Sequence, residues 1–157
     1  MPNTERPNAG LRPLLEIDAD LAKLISIGAT PGGELRMVPI VSGSFAGEAL
    51  RGTIVPGGAD WQTVRADGAL EIRARYLLQT DADELIEVQS DGLRAGAPEV
   101  LERLSRGELL PASSYYFRTA IRLRTAAPRL ARLNDLLAVA YGERRPSSVH
   151  LYVYEVL

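Results

Sequence analysis

The chain contains no cysteine, one histidine, one tryptophan and, at Lys23, a single lysine. Without cysteine there are no disulfides, no thiolate nucleophiles and no Cys-ligated zinc or iron–sulfur centre, and a reducing compartment costs the fold nothing. A lone His150 beside Tyr152 and Tyr154 is a poor basis for a transition-metal site, so none is expected. Schiff-base chemistry would depend on Lys23, which reads as part of a surface strand. Apolar runs extend over only a few residues, and the N-terminal M-P-N-T-E-R-P-N-A-G lacks the basic and apolar regions of a secretory signal. The expectation is a cytoplasmic protein that engages no membrane. The formal charge of −2 argues against nucleic acid as a partner. Calcium-loop spacing is also missing: the pairs Asp18/Asp20 and Asp81/Asp83 read as turn residues. There is no phosphate loop, dinucleotide fingerprint or Gly-x-Ser-x-Gly elbow, and no cofactor is expected. The near-total preference for arginine over lysine is read as compositional rather than chemical.

What remains is a 157-residue chain, 46% apolar, of a size that buries one core. Residues 1–13, with three prolines and two asparagines, read as a flexible segment. A single domain is expected over 14–157, made of short strands separated by turn signals. Leu14–Ile17, Leu24–Ile27 and Leu35–Val41 read as strands, the last carrying Pro39 and therefore placed at an edge or bulge. S-G-S-F-A-G then turns the chain, and Glu48–Val55 returns it. Leu70–Thr80 alternates strictly, with Leu70, Ile72, Ala74, Tyr76 and Leu78 on the inward face. T-D-A-D makes a hairpin into Glu84–Gln89, and Asp91-Gly92 reads as the next turn. Pro98 to Gly107 predicts a short helix, and Pro128 to Gly142 a second with Leu130, Leu133, Leu136 and Leu137 at helical spacing. Tyr115–Arg124 and Val149–Val156 are further strands. The sum is an all-β fold, a single antiparallel β-barrel of about 8 to 10 strands with one or two short accessory helices.

The stretch Gly52–Tyr76 organises the candidate site. Gly57 and Gly58 after Pro56 read as a tight loop between two strands, and the loop sets Asp60 beside Trp61. A carboxylate against an indole has its ionised form desolvated, as a general acid or base requires; alternatively Asp60 caps the turn and Trp61 plugs a barrel end. Tyr76 points inward and needs a partner or ligand for its hydroxyl. Tyr115 and Tyr116 point to opposite faces, and Arg118 shares the face of Tyr116. If that face is interior, Arg118 is a buried cation needing a carboxylate. If it is exterior, Arg118 and Arg75 form ladder ion pairs with Glu71 or Glu87. Asn134 either hydrogen-bonds a substrate carbonyl or ties the second helix to the barrel.

Taken together, L-R-G-T-I-V-P-G-G-A-D-W, A-R-Y-L-L-Q-T-D, Y-Y-F-R-T, R-L-N and G-E-R-R-P, in this order, resemble the DUF3237 family, also called UPF0311, from about Leu14 to the C-terminus. The resemblance places the family's G-G-A-D-W on Gly57–Trp61, its R-Y on Arg75 and Tyr76, its Y-F-R on Tyr116, Phe117 and Arg118, and its L-N on Leu133 and Asn134. One departure is clear: the family's D-D-G hairpin becomes Asp81-Ala82-Asp83-Glu84. The resemblance implies a lipocalin-like or allene-oxide-cyclase-like barrel and no particular activity.

The expected function is cofactor-independent acid/base chemistry (an isomerase, lyase, hydratase or cyclase) on a small apolar or aromatic carbonyl or carboxylate compound. Asp60, Tyr76, Tyr116 and Arg118 would be catalytic, with Trp61, Arg75, Tyr115 and Asn134 binding substrate. The alternatives are a small-ligand carrier and a structural barrel. Exposed tyrosines on the last strand suggest a homo-oligomer, most simply a dimer.

Overall fold

The computed structural model describes residues 6–157 and is built almost wholly of antiparallel strands: β1 Leu11–Leu21, β2 Ile25–Thr30, β3 Gly33–Gly47, β4 Arg51–Val64, β5 Leu70–Thr80, β6 Leu85–Ala95, β7 Tyr116–Thr125, β8 Ala138–Arg144 and β9 Ser148–Val156. Hydrogen bonding runs β1-β9-β8-β7-β6-β5-β4-β3, and β3 pairs back onto β1 from Leu15↔Gly47 to Leu21↔Ile40. Eight strands thus close a barrel, and β2 is an additional strand lying on the first half of β3. Closure leaves no long unpaired edge, which is the physical reason short alternating strands adopt this form.

The alternation read from Leu70–Thr80 holds: Leu70, Ile72, Ala74, Tyr76 and Leu78 are buried, and the residues between them face outward or are partly covered. One half of the barrel is an aliphatic plug of Ile17, Leu78, Ile86, Val88, Ile121 and Leu123. Leu130, Leu133 and Leu136 close that end from outside the strands. The segment carrying them, Pro128–Asp135, is a 3₁₀ helix, so its buried leucines recur at three residues, and Leu137 projects into solvent. The chain then enters β8, a strand in place of the expected continuation of the helix to Gly142. The helix α1, Pro98–Ser105, caps the opposite end with Leu104 buried beneath it.

Several boundaries differ from the expectation. The first strand begins at Leu11, and residues 11–13 already pair with β9; residues 1–5 of the expected flexible segment lie outside the described residues. Lys23 lies in the connection between β1 and β2. S-G-S-F-A-G continues β3, and the turn comes after Gly47. Pro39 sits where the neighbour of β3 changes from β2 to β1, a point at which a missing N–H is tolerated. Asp91-Gly92 is no turn either. β6 runs through it, and Gly92 is required there because a Cβ would come within 2.1 Å of the Arg118 carbonyl oxygen on β7. The Thr80–Glu84 hairpin forms as expected: Asp83 adopts the positive φ of 62° that glycine would otherwise supply, and Thr80 Oγ1 accepts from the amides of Ala82 and Glu84.

Candidate active site

The segment expected to be a loop, Pro56-Gly57-Gly58, is a bulge inside the single long strand β4. Between the pairs Val55↔Leu77 and Ala59↔Arg75, β4 has two residues more than β5. An even excess keeps the faces in phase, so Ile54 before the bulge and Asp60 and Gln62 after it all point into the barrel. Gly58 is needed because its Cβ would lie 2.4 Å from that of Tyr76 and 2.8 Å from the Arg75 carbonyl oxygen, while Gly57 takes a φ of +112°. The bulge thus sets Asp60 against the same space as Tyr76.

That space is a cavity of about 350 Å³ in the half of the barrel above the aliphatic plug. Val38, Ile40, Ile72, Leu151 and Phe117 supply its apolar wall, and exposed Lys23, Leu24, Ser105 and Pro146 form its rim. Strand register sorts the polar groups by depth. Arg36, Arg94 and Arg144 lie near the α1 end of their strands; Asp60, Ser90 and Thr119 lie lower, with Tyr76 beside Asp60.

Asp60 is held by fixed donors. Gln62 Nε2 donates to Oδ2 at 2.6 Å, and the Arg73 amide donates to Oδ1 at 3.1 Å. Gln62 Oε1 in turn accepts from Arg36 Nε at 2.7 Å, which fixes the orientation of that amide. Desolvation nonetheless dominates and pushes the Asp60 carboxyl above the usual carboxylate range, against the opposing pull of these donors and of Arg36 and Arg94. The Tyr76 hydroxyl is buried with no partner among the described residues, and burial together with the Asp60 charge keeps it protonated far above neutrality. Thr119 Oγ1 and Arg94 Nε are likewise buried and unpartnered. Arg94 is only 8% exposed, and burial, followed by the fields of Arg144 and Arg36, brings its guanidinium down to about 10.

Of the residues singled out in the sequence, Asp60 and Tyr76 line this cavity. The others do not. Trp61, one residue from Asp60, points outward and is 51% exposed, because adjacent strand residues face opposite ways. Tyr116 is 54% exposed, and Arg118 lies outside with it, its guanidinium 5.1 Å from the Tyr116 ring and 3.9 Å from that of Tyr141. Arg75 is on the exterior, 3.6 Å from Glu87. Tyr115 is buried beside the site, where its hydroxyl accepts from the Arg144 amide at 2.9 Å, so it steadies the strand that carries Arg144. Asn134 bonds the amide and carbonyl of Thr125 at 2.9 and 3.0 Å and ties the 3₁₀ helix to β7. His150 is outside the barrel, between Asp18 at 2.6 Å and Glu16 at 3.0 Å.

The groups that the sequence reading missed are Arg36, Gln62, Ser90, Arg94, Thr119 and Arg144. Alternation alone would have found Arg36, which shares a face with Val38 and Ile40. Among the described residues no three His, Asp or Glu side chains converge to hold a metal ion, and no helix is long and apolar enough to cross a membrane.

Comparison with known proteins agrees with the architecture. The chain is 32% identical to a UPF0311 protein of Rhodopseudomonas palustris over 151 residues, 96% of this chain and 99% of that one. The crystal structure from that organism superposes with a TM-score of 0.92, covering 97% and 99% of the two chains. A protein of Acinetobacter baumannii described as beta-barrel like is 34% identical, with a TM-score of 0.86 over 99% of this chain and 100% of that one. A Penicillium herquei protein described as an enzyme shares the fold at 18% identity, with a TM-score of 0.71 and 98% of each chain covered. The model of the family described as protein of unknown function (DUF3237) matches residues 9–156, and the chain belongs to that family.

Proposed function

We propose that this protein is an acid/base enzyme that moves a proton on a small, largely apolar carbonyl compound held in the barrel. One observation carries the reading: a carboxyl with a raised pKa, pinned at the wall of a hollow beside a tyrosine hydroxyl with no protein partner. Fixed donors hold Asp60 in one orientation while desolvation makes its ionised form a stronger base than a free carboxylate. Asp60 takes a proton from the carbon next to the carbonyl. The electron pair moves onto the carbonyl oxygen, where Tyr76, which stays protonated, donates a hydrogen bond to the developing charge. Return of the proton to another carbon gives isomerisation, and loss of a leaving group gives elimination. Trp61, Tyr116, Arg118 and Arg75 have no part in this scheme. That a Penicillium herquei barrel of the same fold is described as an enzyme supports the view that such a lumen accommodates chemistry.

Solvent deuterium exchange into a panel of small aromatic ketones and β-keto acids, monitored by NMR, tests this. The expected outcome is enzyme-dependent exchange that Asp60→Asn lowers by roughly 10²- to 10⁴-fold without weakening ligand binding. An unchanged rate in Asp60→Asn refutes the assignment, and binding without exchange assigns the cavity to a carrier.

A further inference from the structure

Charge inside the cavity does not balance. Among the described residues, three guanidiniums, those of Arg36, Arg94 and Arg144, face it against one carboxylate, Asp60. Lys23 adds a further cation at the rim. Glu34 also acts on Arg36, but from an exposed position two residues away on the same strand. The arginines are close enough to depress one another: Arg144 and Arg36 both lower Arg94, and Arg36 lowers Arg144. Among the described residues neither Arg94 Nε nor Arg144 Nη1 finds an acceptor. One buried and two half-buried like charges with idle N–H groups are costly, and a ligand that supplies negative charge offsets that cost.

We propose that the ligand is a dianion: a small molecule with an apolar or aromatic body whose two acidic charges sit among Arg36, Arg94 and Arg144. A single carboxylate would use the donors of one fork and leave the rest unpaired, whereas two negative charges neutralise the surplus of the three guanidiniums over Asp60. Because the arginines lie nearer the rim and Asp60 and Tyr76 deeper, the acidic head anchors at the mouth and the body reaches down between Ile72, Leu151 and Phe117. The inference uses the same cavity as the proton-transfer reading but requires no chemistry from Asp60.

Isothermal titration calorimetry at neutral pH with four aromatic probes tests it: phenylsuccinate and phenyl phosphate as dianions, phenylacetate as monoanion, and benzyl alcohol as the neutral analogue. The tighter dianion binds at least about tenfold better than phenylacetate. Its identity tells a dicarboxylate from a phosphate monoester. Arg94→Met and Arg144→Met each reduce that preference by about tenfold, with urea unfolding checking that the fold is intact. Asp60→Asn tightens dianion binding, since it removes the one opposing charge. Equal affinity for phenylacetate, absence of binding by either dianion in the millimolar range, or a preference that survives both arginine replacements overturns the proposal. Loss of exchange chemistry alone leaves it standing.

Discussion

Replacing Arg94 by methionine should make the ligand-free protein more stable. Arg94 is buried on β6 with its Nε unpartnered, and its guanidinium falls from its ordinary value to about 10. That fall corresponds to roughly 3 kcal/mol by which the interior disfavours the charged form. At neutral pH the side chain is still a cation, so the folded state carries this cost and the unfolded chain does not. The sign comes from linkage: a base whose folded pKa is lowered binds its proton less tightly when folded, and stability is recovered only as pH rises past about 10. Methionine keeps much of the aliphatic stem, removes the charge and the idle N–H, and relieves Arg36 and Arg144 of a like neighbour. Some packing and the attraction between Arg94 and Asp60 are lost, so the net gain is on the order of 1–3 kcal/mol. In a chain of this size each kcal/mol moves Tm by roughly 2–4 °C. Urea unfolding at neutral pH should give a higher midpoint with an unchanged slope. A variant less stable by more than about 1 kcal/mol, with that same slope, would show Arg94 to be fully compensated within the protein, and the reasoning would fail.

Further expectations concern the bulge and the closed end. Gly58→Ala should destabilise by about 2–3 kcal/mol, since its Cβ collides with backbone and Cβ atoms of β5, whereas Gly57→Ala, with open space around it, meets only the strain of its positive φ and should cost about 1–2 kcal/mol. Urea midpoints in the order wild type, Gly57→Ala, Gly58→Ala check this, and a reversed order contradicts the bulge geometry. Glu155 is held at about 2, first by Arg132 and then by Arg12. A depressed carboxyl contributes stability that is complete above its ordinary value of 4.5 and is lost as pH falls toward about 2. Thermal unfolding across that window should show a smaller loss in Glu155→Gln than in wild type, and parallel curves would remove the ion pairs from the account.

How much of this was legible in the sequence depended on whether a signal was local. Period-two alternation in Leu70–Thr80 identified the interior face and put Tyr76 on it. Asp60 was found through its neighbours rather than its surroundings: the glycines marked an unusual backbone, but a tight loop and a bulge have the same composition, and only the cross-strand register separates them. Trp61 was misplaced for the same reason, since in a loop two adjacent side chains can converge and in a strand they cannot. Arg94 was hidden because Asp91-Gly92 imitates a turn, although Gly92 answers to the backbone of a strand distant in sequence. Arg144 was hidden because the leucines before it suggested a helix running to Gly142. The arginine-rich composition made each guanidinium look incidental. Alternation places Arg36 inside with Val38 and Ile40 and Arg75 outside, but nothing local separates Arg94 and Arg144 from Arg118.

Among the described residues the barrel has one door. Leucines of the 3₁₀ helix and the aliphatic plug block passage at one end, so whatever enters past Lys23, Leu24 and Pro146 must leave by the same gap. Two molecules cannot pass in opposite directions through such a sac, so a ligand held among the arginines as proposed would exclude its successor. Under the proton transfer proposed at Asp60, clearance of the vestibule would set a ceiling on throughput that no change at Asp60 could lift.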